Sequence, residues 1–120
     1  MILTINKKDY ELKTNLRVVK GIQGAFKGKP FIKIVEEIEN LSLEELIKIL
    51  MCGISDTDKE TKEELEEAIY DNWGLADIYD NVKKFIMLIQ YPGLTDEEIE
   101  EKAEKNIKEY KKLQEAGLKK

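Results

Sequence analysis

The sequence predicts a mainly α protein, with a short N-terminal β-hairpin followed by a compact bundle of about six helices. Three observations predict it. Apolar residues alternate at the N-terminus and change to a helical period after residue 15. Ser42, Thr61 and Thr95 each stand three residues before a glutamate and next to an apolar run, the signature of a helix start. A composition of 42% hydrophobic and 38% charged residues in a chain of 120 suits helices with one buried stripe and charged outer faces. The length is that of one domain. It is read as a single unit over 1–120, with the hairpin at 1–13, the helical bundle at 15–115 and a frayed tail at 116–120.

Taken in order, Met1–Ile5 and Asp9–Lys13 read as strands. Ile2 and Thr4, then Tyr10 and Leu12, alternate with their neighbours, and Asn6-Lys7-Lys8 supplies the turn. A lone hairpin is marginal in water, so it must pack on something or pair with another strand. Leu16, Val19, Ile22 and Phe26 fall on one face of a first helix. Gly21, Gly24 and Gly28 weaken that helix, each by up to ~1 kcal/mol in a helix interior. Pro30 suits the first turn of the next helix, whose stripe is Phe31, Ile34, Val35 and Ile38. Ser42 and Glu45 form a capping box, with Leu41 and Leu46 as a hydrophobic staple and Gly53 as the stop. Thr61 and Glu64 open the following helix.

The helix from Leu75 to about Tyr91 carries Leu75, Ile78, Tyr79, Val82, Phe85, Ile86 and Ile89 on one stripe. Met87 and Leu88 widen that stripe, which places this helix centrally. Tyr91-Pro92-Gly93 breaks it. A last helix then starts at Thr95 and Glu98, with Leu94 and Ile99 as its staple and a thin stripe through Ala103, Ile107, Tyr110 and Leu113.

Several chemistries are excluded by residue type. The chain has no histidine, which removes the commonest general base and the His-containing zinc sets. Cys52 is its single cysteine, so no intramolecular disulfide forms. It falls near the C-terminal end of a helix, where the dipole disfavours a thiolate, and is expected as a buried structural thiol. Gly24 to Lys29 contains a glycine-lysine step but lacks the spacing and the Ser/Thr of a phosphate loop. Asp56, Asp58, Glu60 and Glu67 imitate the oxygen spacing of a calcium loop, but Thr61 stands where the sharp turn requires glycine. They read as an acidic loop leading into a capped helix. The sequence therefore points to no catalytic residue, no cofactor, no metal and no enzymatic activity.

Nucleic acid is the strongest alternative. Gly21-Ile22-Gln23-Gly24 fits the G-x-x-G of a KH domain and is flanked by Arg17, Lys20, Lys27 and Lys29. The further strands of that fold are missing, and the net charge of −5 argues against it. The charge is split, however. Residues 1–33 carry eight basic groups against two acidic, a net of +6, while the remaining 87 carry 12 against 23, a net of −11. Such a split steers a charged partner to one end, or serves complementarity within the chain. No stretch approaches the ~20 apolar residues of a membrane span, and no signal peptide is read.

The opening Leu3-Thr4-Ile5-Asn6-Lys7-Lys8-Asp9-Tyr10-Glu11-Leu12-Lys13 resembles the start of tail assembly chaperones of long-tailed bacteriophages and related prophages. Asn15-Leu16-Arg17-Val18-Val19 is similar to the helix that follows in that family. Leu43 to Met51 resembles its short helix before a variable loop, and Thr61 to Ile69 its acidic helix. Ile78 to Ile89 looks like its apolar penultimate helix, with a Lys/Glu-rich last helix closing the chain. The resemblance spans nearly the whole chain by segment order and length; Gly21, Gly24 and Gly28 depart from the pattern. It implies a non-catalytic protein in the cytoplasm of the bacterial host. Its partner would be the tape measure protein, whose apolar helices it keeps soluble until tail tube protein polymerises around them. Candidate partner-binding residues are Tyr70, Trp73 and Tyr79, since aromatics of this kind anchor interfaces. Met87 and Leu88 join them because the helix at 75–91 has more apolar surface than one stripe requires. The free edge of the hairpin offers a second route, to a partner strand or another copy. Two alternatives stay open: a nucleic-acid-binding module using segment 17–33, and a self-assembling structural phage protein.

Overall fold

The computed structural model describes residues 1–93, 97 and 98. The expected last helix, with its start at Thr95 and its stripe from Ile99 to Leu113, otherwise lies outside the described residues, as does the tail at 116–120.

Strands β1 (Ile2–Ile5) and β2 (Lys8–Glu11) pair antiparallel, with Leu3 opposite Tyr10 and Ile5 opposite Lys8. The connection is two residues, Asn6 and Lys7, at φ 52° and 66°. Two successive positive φ values match the right-handed twist of the strands, which the commoner turns do not. Lys8 therefore belongs to β2 rather than to the turn, a correction of one residue. Leu3, Ile5, Tyr10 and Leu12 are buried, while Ile2 and Thr4 face outward. The Leu12 N–H donates to the Met1 carbonyl at 2.7 Å and the N-terminal ammonium to the Leu12 carbonyl at 2.9 Å, which extends the pairing by one residue on each strand.

Helix α1 (Leu16–Ala25) begins at Asn15, whose side-chain oxygen accepts from the Val18 N–H. Its buried residues are Val18 and Ile22, with Val19 and Phe26 half-buried. Leu16, assigned to the inner stripe from its spacing, is 81% exposed, because the first helical position points away from the core once Val18 points into it. The chain then reverses through Lys27 and Gly28, both at positive φ. Pro30 precedes helix α2 (Phe31–Glu36) instead of lying within it, and the Phe31 N–H is satisfied by the Gln23 side chain of α1 at 2.8 Å. A single 3₁₀ turn at Ile38–Asn40 puts Ile38 into the core beside Ile34.

Helix α3 (Leu43–Met51) has the expected capping box in full, with Glu45 N–H to Ser42 Oγ at 3.2 Å and Ser42 N–H to Glu45 Oε1 at 3.1 Å. The Ser42 N–H also holds the Glu45 carboxyl below the usual carboxylate range. Helix α4 (Lys59–Asn72) corrects the reading of its start. Asp58, not Thr61, is the cap, its carboxylate accepting from the Thr61 N–H at 3.2 Å. An Asp cap is at least as good as a Thr cap, and its charge also meets the positive end of the helix. Helix α5 (Leu75–Gln90) follows. Five α-helices thus stand among the described residues, against about six expected for the chain.

The core is one cluster fed by every element. Helices α3 and α5 form its most extensive helix contact, and the hairpin lies against α4 through β1. Phe85, Leu12, Leu46, Leu50 and Leu65 are wholly buried. Leu75 departs from its expected place: it is 58% exposed at the first position of α5. Among the described residues no polar or charged side chain is buried.

Gly53 acts differently from the helix stop read in the sequence, because it has no positive φ. A Cβ there would lie 2.8 Å from Leu12 Cβ and 3.0 Å from Phe85 Cζ. Its carbonyl accepts from the Lys13 N–H at 2.8 Å. Glycine is required because three elements (the hairpin exit, the end of α3 and the middle of α5) close onto one backbone position.

Candidate protein-binding surface

The chain leaves α4 at Trp73, which is extended at φ −96° and ψ 145°, and enters α5 through Gly74. Both turns of this elbow are held locally. The Trp73 N–H closes on the Ile69 carbonyl at 3.0 Å, and the Asn72 amide donates to the Ala68 carbonyl at 2.9 Å. The Asp77 carboxylate accepts from the Gly74 N–H at 2.9 Å, the half of a capping box that a glycine cap can make.

This elbow gathers three of the five residues expected at a partner interface. Tyr70 is 50% exposed, and Trp73 and Tyr79 are half-buried with part of each ring against the core. Leu75 joins them at the surface.

The other two residues lie elsewhere on α5. Met87 is buried at 8% exposure, so a partner reaches it only if its surroundings move. Leu88 is half-buried and lines a cleft of about 590 Å³ with Met1, Ile2, Thr14 and Lys84. Ile2, 64% exposed on the outer face of the hairpin, adds apolar surface to that cleft.

The residues tested for other chemistries take up structural roles. Asp58 is a helix cap, and Asp56 accepts from Lys62 at 2.6 Å, a contact that holds its carboxyl below the usual range. Among the described residues no three His, Cys, Asp or Glu side chains are grouped to hold a metal. Gly21 to Gly24 lie inside α1 with Ile22 fully buried, whereas a G-x-x-G that grips a nucleic-acid backbone sits in a loop. Of the basic segment, Lys29 pairs with Glu37 and Lys33 with Glu36. Cys52 is half-buried rather than buried, and burial pushes its thiol up. Among the described residues no helix is long and apolar enough to cross a membrane.

Comparison with models of protein families, with curated proteins and with solved structures gives no match to this chain.

Proposed function

We propose that the chain is a non-catalytic protein-binding protein that works as a tail assembly chaperone, holding apolar helices of a tape measure protein soluble during tail morphogenesis. The observation that carries this reading is the α4–α5 elbow. Within ten residues it displays an exposed tyrosine, an exposed leucine and two half-buried aromatic rings, beside the charged outer face of α4. Aromatic rings with part of their area already immobilised against a core lose little entropy on binding, so they suit the capture of an amphipathic helix. The charged faces of α4 and the outer side of the hairpin keep such a complex in solution.

Co-expression with the tape measure protein of the same genome tests the reading. The tape measure protein is expected to be insoluble alone and to co-purify with the chain when both are made together. Tyr70→Ala combined with Leu75→Ser is expected to abolish co-purification while changing the thermal unfolding of the chain little, since half or more of each residue is in water. A partner that stays insoluble, or a double variant that still rescues it, overturns the proposal.

A further inference from the structure

An open groove of about 830 Å³ runs along α1 where it faces the end of α3. Its floor is formed by Gly21 and Gly24 of α1, with Met51 and Ile54 beneath. Lys13, Arg17 and Lys48 stand exposed on its rim, and none of the three forms an ion pair among the described residues. Lys62 also lines it and is paired with Asp56, the groove's acidic group.

Both glycines lie within α1, Gly21 in its interior and Gly24 in its last turn, and each disfavours the helix relative to alanine. The fold gives nothing in return. A Cβ at Gly24 would meet no atom within 4 Å, and one at Gly21 only Cys52 Cβ at 4.0 Å. The space they leave is therefore open to something outside the monomer.

The molecule carries a complementary surface next to this groove. Glu63, Glu66, Glu67 and Tyr70 follow one another at i, i+3, i+4 and i+7 on the outer face of α4, all exposed, and none of the three glutamates is in an ion pair among the described residues. Lys62 of the same helix lines the groove, so basic groove and acidic face adjoin.

We infer that the groove is an interface for a second copy of this chain, which enters with the acidic outer face of α4. The three glutamates of one copy meet Lys13, Arg17 and Lys48 of the other, and the Tyr70 ring lies on the Cβ-free floor at Gly21 and Gly24. Because groove and acidic face adjoin, a two-fold axis lets each copy supply both halves at once, giving a closed dimer rather than a filament. This inference does not rest on the chaperone reading, and it is tested on the chain alone.

Sedimentation from micromolar to millimolar protein is expected to show a monomer–dimer equilibrium that weakens as salt rises, because the contact is between exposed charges. Arg17→Glu and Glu66→Arg are each expected to weaken the dimer at least about tenfold, since each sets like charges against one another. The combination of both in one chain is expected to restore it. Gly24→Leu is expected to leave the melting temperature of the monomer unlowered and to abolish the dimer. Cys52, which lines the groove, is expected to be alkylated more slowly at concentrations where the dimer forms. A chain that stays monomeric at millimolar concentration overturns the inference. So does a dimer that ignores salt, survives Arg17→Glu, or is not restored by the reversed pair.

Discussion

Gly53 and Gly24 are the same residue under opposite conditions. Around Gly53 the hairpin exit, α3 and α5 close to within 2.8 Å and 3.0 Å of where a Cβ would be. Around Gly24 there is nothing within 4 Å. The first glycine is needed by the monomer, because no side chain fits. The second is a cost to the monomer, because α1 would form more readily with alanine there. Apart from a positive φ such as that of Gly28, a glycine here marks either a place with no room or a place where room is left open. Only the packing around it tells which.

The corner at Gly53 can be broken from either side. Phe85 is wholly buried against it, and Phe85→Ala is expected to cost about 3–5 kcal/mol, as large-to-small changes of a buried aromatic do. Gly53→Ala is the converse test, since it overfills the same corner. It is expected to destabilise by about 1–3 kcal/mol, the usual range for an added methyl in a closed core. Chemical denaturation of both variants checks these values. The two residues touch, so their effects must couple. Phe85→Leu, which withdraws the ring atom nearest Gly53, is expected to recover part of the Gly53→Ala loss. Strict additivity of the pair would show that the strain is carried by Leu12 instead.

The open face is expected to respond with the opposite sign. Gly24→Ala adds helix propensity and meets no neighbour, so it is expected to stabilise the monomer by about 0.5–1 kcal/mol. Thermal unfolding at low protein concentration, where a dimer does not contribute, measures this. Loss of stability would mean that α1 needs flexibility at this point and that the contrast with Gly53 is one of degree.

How much of this was legible beforehand follows from range. Local signals were readable. The Ser42–Glu45 box lies within four residues and forms as written. The apolar run in α5 is so wide that burial of Val82, Phe85, Ile86 and Ile89 did not depend on the exact orientation of the helix. Leu16 and Leu75 fit the helical period yet face water, because each opens its helix ahead of the turn at which the apolar stripe meets the core. The start of α4 lies three residues earlier than the Thr61–Glu64 box suggests, because Asp58 is the better capping side chain even without a box partner. Of the candidate surface, the aromatic elbow was visible as a cluster along the chain. The groove was not, since Lys13, Arg17, Lys48 and Lys62 meet only where the hairpin exit, α1, α3 and α4 come together. Gly21 and Gly24, two of the three glycines that break the expected pattern, and the basic residues around Arg17 were its traces in the sequence.

The smallest effect concerns a third backbone position, the turn between β1 and β2. Lys7 holds φ at 66° without being glycine or asparagine, in a two-residue turn for which Asn-Gly is the favoured pair. Its side chain makes no ion pair among the described residues and is exposed, so little is lost by removing it. Lys7→Gly is expected to relieve the left-handed strain at the cost of a more flexible unfolded chain, two terms of opposite sign of which the strain relief is the larger. The net is expected to be a gain of a few tenths to about 1 kcal/mol. Lys8, one residue on, pairs with Glu64 of α4, and that contact raises its pKa. It therefore checks whether any gain comes from the turn itself. If Lys7→Gly stabilises the chain equally with Glu64 intact and with Glu64→Gln, the gain belongs to the backbone. If it vanishes in Glu64→Gln, the turn acts by aiming Lys8 at α4, and the hairpin is held to the bundle by its end as well as by its buried face.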